Sequence, residues 1–235
     1  LYSSAASDVY KRQATYKGHT KFGMNWSLIG TFTKNINEIT SLGDMNEIPL
    51  ANSKLGSWLN NDNVTTYMKV GYPAGSFFLI ESDGVIQTQE ELDAVKSYMP
   101  NAKLGDLKLV NQNGDNIIDD NDQCPIGNPI YPQLTAGITA GFEYKGFDFS
   151  MLWAGSGKVS RFISAGLRVP FGGGNYGLLQ YMIDDHWTPE TAETAKTPRF
   201  SGAANANNYT RNSTLWLKDA SYIRLKNVQI GYTFK

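Results

Sequence analysis

The sequence predicts an all-β chain built on long antiparallel strands of the kind that wall a transmembrane β-barrel, and three observations lead there. Four segments alternate apolar and polar residues with a period of two, the mark of strands with one wet and one apolar face. Each of the four runs about ten residues or more, beyond the ~5–6 usual in globular sheets and matched to a tilted crossing of a bilayer core. Their apolar faces end in aromatic rings, which suit a membrane interface.

The first segment reads Phe22, Met24, Trp26, Leu28, Gly30 and Phe32 on one parity against Lys21, Asn25, Ser27, Thr31 and Thr33, with Ile29 the main exception. The second reads Leu134, Ala136, Ile138, Ala140, Phe142 and Tyr144 against Gln133, Thr135, Gly137, Thr139, Gly141 and Glu143. Lys145-Gly146 then makes a two-residue hairpin connection into Phe147, Phe149, Met151 and Trp153. The last segment sets Val228, Ile230, Tyr232 and Phe234 against Asn227, Gln229, Gly231 and Thr233.

The connections alternate between very short and very long. Residues of about 35–132 separate the first two strands and about 157–220 the last two, whereas Lys145-Gly146 alone joins the middle pair. Outer-membrane barrels have short periplasmic turns and long external loops. With the chain end in the periplasm, both long connections fall outside. Four strands are too few to close such a barrel, so the expectation is the C-terminal four strands of a larger one. Within the first long connection, Thr88 and Glu91 form a capping box opening a helix through Leu92, Val95 and Tyr98, stopped by Pro100. A second helical stretch is expected from Leu178 to Trp187. Gly172-Gly173-Gly174 is a joint without the strand, helix or lysine of a phosphate loop.

Composition excludes several function classes. Among 235 residues, 21 basic and 22 acidic side chains give a net charge of -1, so no nucleic-acid footprint exists. The single cysteine, Cys124, forbids an internal disulfide and a Cys-based zinc site. Two histidines, His19 and His186, occur in none of the hydrolase or metalloprotease patterns, and Asp184 and Asp185 diverge by about 100° on a helix. The chain is expected to be no enzyme. Residues 1–13, LYSSAASDVYKRQ, join no periodic pattern and look like translated sequencing-adapter read-through, so the fold argument rests on 14–235, with the true protein expected to extend upstream of Ala14.

One segment has side-chain spacing suited to a hard cation. Asn111, Asn113, Asp115, Asp119 and Asp122, with the carbonyl of Ile117, occupy the oxygen-donor positions of a calcium loop. Asn111 and Asn116 depart from the usual aspartate and glycine, and Asp122 is shorter than the usual glutamate; the alternative is a solvated turn rich in Asx residues. Trp58, Tyr72, Tyr176, Tyr181 and Trp187 in the long connections are candidates to stack on a sugar or pack on a partner, or to hold the loops together. A soluble secreted glycan-binding module, with the acidic loop as structural calcium site and the apolar parity buried between two sheets, is the rival reading.

Four ordered blocks then carry a family resemblance: Val70–Ala94, Gly105–Pro132, YKGFDFSMLW at Tyr144–Trp153, and WLKDASYIRLKNVQIGYTF at Trp216–Phe234. They resemble the C-terminal part of the SusC/RagA family of TonB-linked outer-membrane transporters. The resemblance implies a 22-stranded barrel with an N-terminal plug, located in the bacterial outer membrane. It further implies a SusD-like lipoprotein partner and import of glycans or peptides with energy from TonB, reached through regions outside this chain. The family's acidic D-x-N-G-D-G-x-I-D loop falls on Asn111–Asp119, and Tyr232-Thr233-Phe234 looks like the terminal signal of barrel assembly.

Overall fold

The computed structural model describes residues 4–50, 65–171, 177–201 and 206–234. Two long strands come first, β1 (Ser4–His19) and β2 (Asn25–Ser41). The first long connection carries β3 (Glu47–Leu50), β4 (Thr66–Lys69), β5 (Ser76–Ile80), β6 (Ser82–Val85), α1 (Gln89–Val95), β7 (Leu107–Leu109) and β8 (Gln123–Pro125). Then come β9 (Leu134–Tyr144) and β10 (Phe147–Gly157). The second connection holds β11 (Ser160–Phe162), three one-turn helices, α2 (Ala165–Arg168), α3 (Gln180–Asp184) and α4 (Ala206–Tyr209), and β12 (Leu217–Asp219), before β13 (Tyr222–Tyr232). The chain is all-β in character, with short helices confined to the connections.

The long strands form one open sheet in the order β1-β2-β9-β10-β13, every neighbouring pair antiparallel. The sheet thus has five strands where four were expected. The extra one, β1, pairs with β2 along its whole length and includes residues 4–13, which the sequence reading set aside. Its alternation is legible only at Ala14, Tyr16 and Gly18; farther back the same parity holds Arg12 and Asp8, which hide it. The first expected strand also begins later, because Phe22 lies in the turn closed by Gly23 N donating to Thr20 O at 3.0 Å.

Register aligns the apolar parity across the sheet. Trp26 opposes Phe142, Phe142 opposes Phe149, and Phe149 opposes Ile230; the next row inward runs Leu28, Ala140, Met151, Val228. At the short-turn end aromatic rings pair across strands, Phe147 with Tyr232 at 4.5 Å between centroids and Phe142 stacked on Phe149 at 5.3 Å. One irregularity escaped the parity argument. β13 pairs Leu152 with Asn227 but Trp153 with Leu225, so Lys226 is the extra residue of a β-bulge. The bulge switches parity and brings Ile223 and Leu225 onto the face of Val228 and Ile230.

The Lys145-Gly146 connection has φ of +49° and +87°, the two left-handed residues of a type I′ turn, whose twist suits a hairpin. Thr88 caps α1 as expected: its hydroxyl accepts from Glu91 N at 3.2 Å while the Glu91 carboxylate accepts from Thr88 N at 3.2 Å. The second expected helix is shorter than Leu178–Trp187, a single turn at Gln180–Asp184. The triple glycine lies outside the described residues.

The packed core is not at the sheet. Ile80, Ile86, Leu92, Val95, Met99, Ala102, Leu107 and Leu109 form a buried cluster inside the first connection, with Leu215 from the second packed against it. The two connections therefore merge into one lobe at the end of the sheet remote from the short turns. The sheet's apolar face stays uncovered, with Ile230 77% and Ile223 80% accessible.

Candidate functional site

The lobe is held by a buried polar cluster that no sequence motif announced. Asp106, fully buried, receives Asn208 Nδ2 on Oδ1 at 2.9 Å and Lys103 N on Oδ2 at 2.9 Å. Arg199 adds Nη2 on Oδ2 at 3.2 Å, and its Nε lies 2.7 Å from Oδ1 as a charge contact outside aligned hydrogen-bond geometry. Asn208 completes the cluster by accepting Leu107 N at 2.9 Å. Nearby, the buried Arg168 guanidinium donates to the carbonyls of Arg211 and Thr210 and lies 4.9 Å over Phe162. Glu91 is held below the ordinary glutamate value, chiefly by the Gln87 amide; Lys108, bridging Asp83 and Glu91, is pushed up by both partners.

The acidic loop spends its oxygens on its own backbone. Asn111 Oδ1 accepts Gly114 N at 2.7 Å, Asn113 Oδ1 accepts Asp115 N at 3.0 Å, and Asp115 Oδ1 accepts Ile117 N at 3.1 Å. Asp119 accepts Asn121 N at 2.7 Å. Asp122, fully buried, takes Gln112 N at 2.8 Å on one oxygen and Asp119 N at 2.9 Å on the other. Asn116 adopts φ of +66° where the loop pattern has glycine, as Asn tolerates. Among the described residues no group of three His, Cys, Asp or Glu is placed to hold a metal ion. The donor residues chosen from spacing do sit together, folded as successive Asx turns.

The aromatic candidates separate. Trp58 and Tyr176 lie outside the described residues. Tyr72 packs edge-on against Phe78 at 5.3 Å, and Tyr181 donates its hydroxyl to the Leu167 carbonyl, with burial raising its pKa. Trp187 donates Nε1 to Gln87 Oε1 at 2.8 Å and lays its ring on Gly105, where an added Cβ would come within 2.2 Å. Gly105 has φ of +81°, so this close approach requires glycine twice over. All three described rings are half-buried and bind lobe segments to one another.

The polar face of the sheet is the other surface with chemistry. At the short-turn end His19 Nδ1 lies 2.8 Å from Asn25 Oδ1, beside the cross-strand partners Glu143 and Asp148. Hydroxyls and amides follow along the strands, among them Thr31, Thr139, Ser150 and Gln229, with the Ser150 hydroxyl 3.4 Å from Gln229 Oε1.

No protein-family model matches the chain. Curated relatives do. The TonB-dependent receptor P26 of Formosa agariphila is 30% identical over 88% of this chain, and TonB-dependent receptor SusC of Bacteroides thetaiotaomicron is 27% identical over 89%. The chain spans about a fifth of the length of these relatives, 20% and 18% respectively. Among solved structures, the RagAB peptide transporter superposes with a TM-score of 0.69 at 20% identity, covering 98% of this chain and 22% of that one. The RagAB peptide importer in its open-open state superposes equally well, at 21% identity. The likeness to the solved structures establishes the strand arrangement. The relatives are receptors and transporters rather than enzymes. The chain belongs to the SusC/RagA family of TonB-dependent receptors.

Proposed function

We propose that this chain is part of the barrel wall of an outer-membrane importer, the C-terminal portion, taking up glycans or peptides with a SusD-like lipoprotein and drawing energy from TonB through regions outside the chain. One observation carries the reading: the five strands align a continuous apolar face that nothing covers, while the packed core lies entirely in the connections. A water-facing sheet would leave that face exposed at a cost of about 25 cal/mol per Å². A bilayer covers it. On this reading the polar face lines the lumen, the Lys145-Gly146 turn is periplasmic, and the lobe stands outside the cell. Its merged loops are the surface that meets the lipoprotein and cargo.

The rival soluble glycan-binding module needs a second sheet to bury the apolar parity, and the described residues supply none. Fractionation of cells expressing the full-length protein tests the two. Retention in outer membranes through carbonate extraction, with heat-modifiable migration on gels, supports the barrel. Recovery in the soluble fraction without detergent would sink it.

A further inference from the structure

At the short-turn end the charges sort between the two faces of the sheet. The carboxylates stand on the polar face: Glu143 and Asp148 are direct cross-strand partners, and the Asp148 carboxylate lies across Gly231, where an added Cβ would collide with it. The apolar face carries a cation instead. Lys145, the first residue of the type I′ turn, extends its ammonium over the ring of Tyr144, 5.2 Å from the centroid. Tyr144 belongs to the apolar parity of β9, so this ammonium lies on the lipid side of the wall.

A belt of rings surrounds it. Phe22, in the turn between β1 and β2, meets Tyr144 edge-on at 5.8 Å, which sets the turn that holds Lys21 beside the turn that holds Lys145. Phe147 pairs with Tyr232 at 4.5 Å, and Tyr232 with Phe234 at 4.8 Å. Tyr232 also lies on Gly146, and Thr233 N donates to Gly146 O at 2.8 Å, so the end of β13 is fixed against the Lys145 turn. The ion pairs among the described residues use Lys69, Lys108 and Arg199, so neither Lys21 nor Lys145 has a carboxylate partner there.

Resting on the barrel-wall reading, we propose that the Lys145 turn, with Tyr144, Phe22 and Lys21, binds the phosphate of an anionic phospholipid in the periplasmic leaflet. A bilayer that covers the apolar rows sets its headgroups where those rows end, in Tyr144, Phe147 and Tyr232, and amphipathic rings sit at that depth. An ammonium on a flexible stem reaches the same level. With both carboxylates of this end on the far face of the sheet, the headgroup phosphate becomes the counter-ion of Lys145. A headgroup with its own ammonium competes for that phosphate, whereas one without leaves it to the protein. The site therefore selects lipid of net negative charge, as lysines at a membrane surface do. The bound lipid braces the turn on which the last strand ends.

The test uses the full-length receptor, delipidated in mild detergent and titrated with phosphatidylglycerol and phosphatidylethanolamine of identical acyl chains, with bound lipid counted by native mass spectrometry. Phosphatidylglycerol should be retained about fivefold over phosphatidylethanolamine at low salt, the preference shrinking at high salt. Lys145→Asn removes the charge on a left-handed backbone that Asn tolerates, so the turn still forms. It should cut the preference to about twofold or less. Lys145→Arg should keep it, Lys21→Gln should lower it in part, and Lys17→Gln, opposite Ser27 on the polar face, should leave it unchanged. Equal retention of the two lipids by the wild type, or a preference unmoved by Lys145→Asn, would overturn the proposal. A preference lost in Lys17→Gln and kept in Lys145→Asn would turn the sheet around and overturn the barrel-wall reading with it. Heat-modifiable migration is read on the same samples: its absence in the wild type removes the barrel reading itself, whereas its presence without a lipid preference defeats this inference alone.

Discussion

Asp106 and Arg199 stand 93 residues apart in sequence and meet at 2.7 Å inside the lobe, the aspartate fully buried and the arginine carried in from the other long connection. This contact ties the two connections into one body. Removing one partner of a buried charged pair leaves the other desolvated and costs about 3–5 kcal/mol. Asp106→Ala should therefore lower the lobe's melting temperature and open both connections to limited proteolysis together. Cleavage confined to one connection would show that they are held independently.

The apolar and polar parities predict opposite outcomes for neighbouring residues. Ile138 lies in the middle row of the apolar face, beside Gly30 and Trp153, and Thr139 on the polar face beside Ile29 and Leu152. An arginine facing lipid at mid-membrane costs about 2–4 kcal/mol, and one facing the lumen is tolerated. Ile138→Arg should sharply reduce heat-modifiable protein in outer membranes while Thr139→Arg assembles. Equal yields for the two would refute the parity assignment.

How much of this was legible depends on whether the signal was local. Leu134–Tyr144 could be bounded to the residue because both faces alternate without interruption and a type I′ turn ends the strand. Thr88 and Glu91 announced α1 for the same reason, a contact spanning three residues. β1 escaped because Arg12 and Asp8 interrupt its apolar parity, so only its pairing with β2 reveals it. The bulge at Lys226 was readable in principle: Ile223 and Leu225 fall on odd positions and Val228 and Ile230 on even ones, which one extra residue reconciles. The Asp106 cluster was not readable, since nothing in the local sequence of Lys103 to Leu107 names Arg199 or Asn208. The acidic loop's residues were found by spacing, but spacing does not say whether an Asx oxygen faces an ion or the next amide.

In that loop Asp122 is the residue on which the others depend. Its carboxylate holds the amides of Gln112 and Asp119 from opposite ends of the turn, with Asn113 N at 3.5 Å. Leaving buried donors without an acceptor costs about 1–3 kcal/mol each. Asp122→Ala should destabilise the lobe by about 3 kcal/mol, and Asp122→Asn, which keeps one acceptor oxygen, by roughly half that. Thermal unfolding in the presence of a calcium chelator checks this independently of any cation. A change below the scatter of exposed substitutions would mean the turn is held elsewhere.

Acid should weaken the cap of α1 in a defined direction. Glu91 is held below its ordinary value of 4.5, first by the Gln87 amide, then by Lys108 and the Thr88 amide. A depressed folded-state pKa gives stability that is present above the unfolded value and lost as pH falls through the folded one. The contribution is full above about 4.5 and disappears below it. Thr88→Ala removes the other half of the capping box and should cost about 1 kcal/mol at neutral pH. Glu91→Gln should flatten the acid limb of the lobe's stability curve, with a small effect because the side chain is about a third exposed, at 34%. An unchanged acid limb in Glu91→Gln would place the acid sensitivity on other carboxylates.

Trp187 offers the sharpest separation between holding the lobe and touching cargo. Its ring covers Gly105 and its indole N–H reaches Gln87, so it clamps the segment that ends in Asp106 against the second connection. Truncating a half-buried tryptophan should cost roughly 2–3 kcal/mol, and Gly105→Ala should cost at least as much, because the new Cβ meets the ring at 2.2 Å on a backbone with φ of +81°. Trp187→Phe keeps most of the packing and loses only the bond to Gln87, so it should unfold close to wild type. If Trp187→Ala keeps the melting temperature but abolishes cargo binding, the ring is a contact residue and its place against Gly105 is incidental. If both Trp187→Ala and Gly105→Ala unfold the lobe early while Trp187→Phe does not, the aromatic is part of the scaffold that presents the outer mouth.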